Sequence, residues 1–566
     1  MTMSTQMTSS DSTRTTTTAT VGKVSDYEVG DMKMAKVGER RVAVIRTKSG
    51  IHALDNACPH QGYGLVTGAL ADEMVVCQWH NWKFDARTGQ CMQGEEDVAC
   101  HSVTIEDDEI IVSVTEPTID ERRNALWPSL RSGIAANYMG QVARDSARLL
   151  EADASPQDIL WEAIRHAAPR GEYGPGHDMA MAADCLTIAL DRHGDSRALA
   201  LVQGISGLAE ATRARPAHEL PPPDASPDFQ QAVEDEDITA VRARTLAWLS
   251  DGTDPADVRH EFILAASRHH LGYGHGIIYT QKAFELLEHV GWDRAADLLP
   301  YVAAGTAWET REDLLPYMRP TMRKIDAADL EVLATATRSP EWSDPTLSDR
   351  LLNATEAPIE IAIDAMMAGA GVEGLLDALS IAASRRLLRH DLEVEFLADD
   401  DFSWLDITHV LTMTNAVRWA WNVDPGPHAV RLALFATWLL FDSSRAERRH
   451  GVPPEASAEP LAGDIGRAVR FKDTQTALNA VAATDFASAG DALVDSALAD
   501  QSGAFIVVAH QIKLSVAAKI EAEATGSHLP LLAAARYLAS PHNERFIARN
   551  VIASLDFVQT GKPPQR

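Results

Sequence analysis

Cysteine is scarce in this chain. Five residues in 566, at Cys58, Cys77, Cys91, Cys100 and Cys185, form no even-numbered framework. That pattern excludes a disulfide scaffold and predicts a reducing compartment, the cytoplasm. Apolar runs are also short. None approaches the roughly 18 residues that a membrane span requires. The opening stretch, MTMSTQMTSSDSTRTTTTAT, lacks the apolar core of a secretory signal and a twin-arginine pair. Basic residues are outnumbered, with 51 Lys and Arg against 81 Asp and Glu and a net charge of −30. Such a surface repels phosphate backbones, so no nucleic-acid partner is expected, while a basic protein partner fits. No Gly-x-Gly-x-x-Gly follows a strand, so pyridine-nucleotide binding is not expected within the chain.

What is present divides by texture. Residues 1–21 are Thr/Ser-rich and read as a disordered tail. Residues 22–115 alternate β-branched runs, such as Arg41–Ile45 and Ile110–Val112, with Gly and Asp turns. Thr47–Gly50 reads as a hairpin turn ahead of a strand at Ile51–Leu54. A small all-β domain is expected. From residue 123 to 566, apolar residues recur every three or four positions, as in Ala365–Leu388, which predicts a large all-α domain. Breaks fall at 216–228 and 451–464. Within this part, residues 156–213 and 255–311 look like a repeat. Each opens Pro-x-Asp, continues with a glutamate (Glu162, Glu261), and reaches a Gly-rich turn ending in histidine (His177, His275).

The strongest chemical signal lies in the β domain: Cys58–Pro59–His60, sixteen residues, then Cys77–Gln78–Trp79–His80. Two thiolates can hold one iron and keep it electron-rich. Two neutral imidazoles on a second iron lower the negative charge, so the cluster accepts an electron more readily. Tetrahedral zinc uses the same residue types, but it usually groups cysteines with cysteines and histidines with histidines. Here each pair is mixed, and no helix follows as in a zinc finger.

Residues 22–115 resemble the Rieske ferredoxin domain. The likeness rests on Asn56-Ala57-Cys58-Pro59-His60-Gln61-Gly62, on Cys77-Gln78-Trp79-His80-Asn81-Trp82-Lys83-Phe84-Asp85, and on the Thr88–Gly89 turn. It implies one [2Fe–2S] cluster, with Cys58 and Cys77 on one iron and His60 and His80 on the other. Respiratory Rieske proteins carry an extra, disulfide-linked cysteine in each ligand loop. These loops have none, which implies the ferredoxin or oxygenase type, with a potential toward about −150 mV. Asn81 stands where the family usually has glycine, at a cost in the turn.

For the helical part, a ring-hydroxylating oxygenase would need two histidines and a carboxylate on one face of an α/β domain. The nearest match, His269 or His270 with His275, lacks the upstream acid. His166, His177, His269, His270, His275, His409 and His510 nevertheless stand out in an apolar context. A second iron site is possible, with Glu162/His177 and Glu261/His275 as a symmetric pair. The Glu-x-x-His pattern of di-iron bundles is missing, so the alternative is that these histidines cap helices or satisfy core carbonyls. The stretch His270-Leu271-Gly272-Tyr273-Gly274-His275-Gly276-Ile277-Ile278-Tyr279 is similar to the questin-oxidase-like helical proteins, a family associated with oxidative ring chemistry. The leading expectation is a Rieske-type oxidoreductase or electron-transfer component, whose cluster relays single electrons to or from a helical oxidoreductase module. The alternatives are a docking subunit of a separate redox enzyme, such as a hydrogenase, with a non-catalytic helical scaffold, and a redox sensor. A redox partner protein (a reductase, an acceptor or an enzyme complex) is expected in each case.

Overall fold

The computed structural model describes residues 14–94, 96–397 and 402–561. The strands are β1 (Thr15–Lys23), β2 (Met32–Val37), β3 (Arg40–Arg46), β4 (Ile51–Asp55), β5 (Ala69–Ala71), β6 (Met74–Val76), β7 (Lys83–Asp85), β8 (Cys91–Gln93), β9 (Cys100–Glu106) and β10 (Glu109–Glu116). They form two sheets, ordered β1-β10-β9-β4-β3-β2 and β5-β6-β7-β8. All neighbours pair antiparallel.

Strand β3 is buried on both faces, which explains its unbroken apolar run. Val42 and Val44 point into a core with Ile110 and Val112. Ala43 and Ile45 point the other way, into a core that holds Cys58, Cys77, Trp82 and Phe84. The expected hairpin forms at Thr47, whose N–H donates to Gly50 O at 2.8 Å.

The first boundary needs correction. The Thr-rich segment expected as a tail to residue 21 is strand from Thr15 onward, paired with β10. Threonine is β-branched and fits a pleated edge, and its hydroxyls meet hydroxyls opposite: Thr16 with Thr115 and Thr18 with Ser113, each at 3.0 Å. The expected tail at residues 1–13 lies outside the described residues.

Helices follow from Ile119, four residues before the expected 123. Those used below are α1 (Ile119–Ala136), α2 (Met139–Glu151), α3 (Pro156–Ala167), α4 (His177–Asp191), α5 (Pro255–Arg268), α6 (His275–Val290), α7 (Trp404–Val423), α8 (Pro427–Asp442) and α9 (Phe505–Thr525). The helix expected over Ala365–Leu388 is interrupted at Met366–Ala370, where Gly369 takes φ +108°. The chain folds as two units. One ends at Gly133 and includes Tyr138–Ala154; the other comprises Ile134–Asn137 and the chain from Ser155 onward. Both repeat-like segments fold as helix, Gly-rich turn and a helix whose first residue is histidine, α3–α4 and α5–α6.

Candidate metal centres

In the β unit, two loops bring the motif residues together. One follows β4 and the other follows β6, and the same two hydrogen bonds close each. Cys58 N–H donates to Tyr63 O and Gly62 N–H donates to Cys58 O, both at 2.8 Å. Cys77 N–H donates to Trp82 O at 2.8 Å and Asn81 N–H donates to Cys77 O at 3.1 Å. The residue four past each cysteine is left-handed, Gly62 at φ +77° and Asn81 at φ +59°. Asparagine is among the few non-glycine residues that visit this region readily. That is why Asn81 can stand where its counterpart is glycine.

The sulfurs lie inside and the imidazoles outside. Cys58 and Cys77 are buried within the apolar core, whereas His80 is exposed. The Nδ1 atoms of His60 and His80 are 3.0 Å apart. Burial pushes the Cys58 thiol up to about 11, and the neighbouring Cys77 adds to the rise against a backbone hydrogen bond at His60. Two thiols and two facing imidazole nitrogens are the donor set that a cluster with one thiolate-held and one imidazole-held iron requires. Trp82 stacks on His60 with ring centroids 4.9 Å apart. From α2, Arg144 donates to His60 O at 3.4 Å and sits over Trp82. Tyr63 and Trp79, one from each loop, stack at 4.4 Å and are both exposed.

The helical unit brings together four of the histidines singled out in the sequence. His177 opens α4, His275 opens α6, His409 lies on α7 and His510 on α9. Ligand atoms of His177, His409 and His510 all fall within 4.8 Å of one another. His275 Nε2 is 2.9 Å from His409 Nε2, and its ring centroid lies 4.8 Å from that of His177. His409 Nδ1–H donates to Leu405 O at 2.6 Å and His510 Nδ1–H donates to Ile506 O at 2.7 Å. These bonds fix the tautomer and leave both Nε2 lone pairs facing the neighbouring imidazoles, as metal-binding histidines require. Burial, together with Lys513 and the neighbouring rings, holds His177, His275 and His510 well below the usual histidine range. His409 is brought down to about 3, by burial and by Lys513. All four are therefore neutral and able to ligate.

Lys513 was not foreseen. Its Nζ lies 2.5 Å from His177 Nδ1, and burial lowers it to about 7 despite the attraction of Asp184. The available signal was its place three residues after His510, on the same face of α9. Tyr279 stacks on His275 at 4.9 Å and 7°. Its phenol is held well above 10 by burial, then by Glu309 and Asp178. A cavity of about 390 Å³ reaches Tyr279 and also Gly176 and Gly276, the chain neighbours of His177 and His275.

Glu162 and Glu261 do not join this centre, which corrects the symmetric His/Glu pairing. Glu162 lies 3.8 Å from Arg165, and Glu261 accepts from Gln230 Nε2. Each sits on the helix before the Gly turn, whereas the histidines head the helix after it. His269 is also elsewhere, between Asp313 and Glu234. A smaller group, His260, Asp424 and His428, is satisfied by its own hydrogen bonds, both rings reaching Asp424 Oδ2 at 2.8 and 3.0 Å.

Residues 17–104 match the model of the Rieske [2Fe-2S] domain. The N-terminal region is thus a Rieske domain, and a Rieske domain implies one [2Fe–2S] cluster. Among particular proteins, the ferredoxin component of the alkene monooxygenase system of Xanthobacter autotrophicus is 37% identical over 68 residues, covering 12% of this chain and 56% of that protein. The ferredoxin component of the naphthalene 1,2-dioxygenase/salicylate 5-hydroxylase systems of Ralstonia sp is 27% identical over 93 residues, covering 16% and 89%. Apoptosis-inducing factor 3 of Mus musculus is 31% identical over 107 residues, covering 19% of this chain and 18% of its own length. These similarities account for less than a fifth of the chain. No described helix is long and apolar enough to cross a membrane.

Proposed function

We propose that the chain is a Rieske-type iron–sulfur oxidoreductase, with Cys58 and Cys77 on one iron and His60 and His80 on the other. Its helical unit would be the oxidoreductase module, built on an iron held by His177, His275, His409 and His510. The observation that carries this reading is the convergence of four neutral imidazoles, two of them locked by Nδ1–H bonds. A non-catalytic scaffold would leave four clustered imidazoles, two of them buried, and a depressed lysine without a task. An iron bound there supplies one-electron and Lewis-acid chemistry. Around it, Tyr279 presents a phenol that keeps its proton, and Lys513 holds or releases a proton near neutral pH beside His177.

The exposed side of the cluster loops suits the role of electron port. His80 faces outward, and the Tyr63–Trp79 pair offers an aromatic landing for a redox partner, by analogy with the ferredoxin components that this domain is similar to. The test separates the two centres. His275→Ala and His177→Ala should remove activity and the extra iron but leave the visible spectrum of the cluster intact. Cys58→Ala should abolish that spectrum and leave the helical circular dichroism unchanged. Full turnover in both histidine variants would overturn the catalytic assignment.

A further inference from the structure

Apart from the four-histidine centre, side chains from three elements of the helical unit meet around one carboxylate oxygen. His260 lies on α5, Asp424 caps the C-terminus of α7 and His428 stands in the first turn of α8. Asp424 Oδ2 accepts from His260 Nδ1–H at 2.8 Å and from His428 Nε2–H at 3.0 Å. The two rings stand perpendicular, with centroids 5.2 Å apart. Ligand atoms of all three residues lie within 4.8 Å of one another. Donor atoms bound to zinc in a tetrahedron at roughly 2.0–2.1 Å are about 3.3 Å apart. The two hydrogen bonds already hold nitrogen and oxygen near that spacing. A zinc ion would take the place of both N–H protons, each neutral ring moving its proton to its other nitrogen.

The sequence pre-organises two of the ligands. Asp424 and His428 end the turn Asp424-Pro425-Gly426-Pro427-His428, in which prolines fix φ on both sides of the glycine. Less freedom is then lost when the carboxylate and imidazole close on an ion. Gly426 gives the His428 ring its place, because a Cβ there would come 2.8 Å from His428 Cε1. The His428 side chain is 9% exposed and that of His260 is 45% exposed. Packing therefore fixes one imidazole, while the other can swing to complete the site and leave a fourth position to water. Two imidazoles and one carboxylate favour Zn²⁺ over Mg²⁺ and Ca²⁺, which take oxygen sets, and over Fe²⁺ by the order of divalent affinities.

We propose that His260, Asp424 and His428 bind one Zn²⁺ that clips α5 to the turn between α7 and α8. No ligand is shared with the four-histidine centre, so the proposal stands or falls independently of iron binding there. The test is titration calorimetry of the full-length holoprotein with zinc chloride, in wild type, His260→Ala, His428→Ala and His409→Ala. The expected result is one saturable zinc per chain with a Kd of about 1 μM or below. His260→Ala and His428→Ala should each weaken it by at least about tenfold, and His409→Ala should leave it unchanged. His260 is half-exposed, so its variant keeps the test open if His428→Ala misfolds. Zinc should also raise the Tm of the wild type and not that of His260→Ala. Absence of saturable zinc in the wild type, undiminished binding in folded His260→Ala, or zinc lost only in His409→Ala would each overturn the proposal.

Discussion

Asn81 shows how a single backbone angle constrains the cluster loop. At φ +59° it accepts a conformation that costs most residues about 1–2 kcal/mol, because Cβ crowds the carbonyl. Asn81→Gly should therefore keep the loop and its Asn81 N–H to Cys77 O bond, with equal or slightly higher stability. Asn81→Val should lower the urea midpoint of cluster bleaching, followed by visible absorbance, by an amount corresponding to about 1–2 kcal/mol. An unchanged midpoint in the valine variant would contradict this account of the turn. The Cys58/His60 and Cys77/His80 spacing was readable from sequence because each half-motif sits within one tight loop. The shared closure, from the cysteine to the fourth and fifth residues on, explains why the spacing is local and fixed. The exposed Tyr63–Trp79 stack was not readable, since it depends on how two distant loops face each other. Trp79→Ala should slow electron transfer with a redox partner and leave the cluster's potential unchanged, as measured by stopped-flow and by electrochemistry.

At the scale of elements, the histidine centre depends on four helices meeting. Sequence reading found His177, His275, His409 and His510 by their apolar context, and it placed the first two after Gly-rich turns. It paired them with Glu162 and Glu261 because acid and histidine recur together in both segments. Recurrence along the chain does not fix which side chains a glutamate meets, and here Glu162 pairs with Arg165 and Glu261 with Gln230. The threonine tail was misread for a related reason: composition spoke for disorder, while the partner strand that orders β1 lies almost a hundred residues away.

The buried imidazoles also make acid stability predictable. Each has a folded pKa below its unfolded value near 6.5, by burial first and nearby positive charge second. Between those values the unfolded chain binds protons that the folded chain rejects. Stability of the metal-free protein therefore falls as pH drops below about 6.5, down toward about 3 for His409, by about 1.4 kcal/mol per pH unit for each histidine kept neutral. The urea midpoint of the stripped protein, followed by circular dichroism, should be lower at pH 5 than at pH 7. His409→Gln should flatten that slope. Equal midpoints at both pH values would mean that the rings are hydrated or already charged.

On the scale of the whole molecule, the chain joins a Rieske domain to a helical unit several times its size, on a surface of net charge −30. Such a field draws a basic partner by long-range attraction that salt screens. The second-order rate of electron exchange with a basic redox partner should fall as ionic strength rises from about 10 to 500 mM, where the screening length shortens from about 30 Å to a few ångströms. A rate independent of salt would argue against electrostatic docking.

The central claim is that the chain carries two separate iron centres. The most direct measurement is iron per chain in anaerobically purified protein, read together with the electron-resonance spectrum of the dithionite-reduced form. The account predicts about two irons in a His-ligated cluster signal, plus one more that disappears in His409→Ala and His275→Ala without loss of that signal. About two irons in the wild type and the same number in those variants would contradict it and leave the Rieske cluster as the only redox centre.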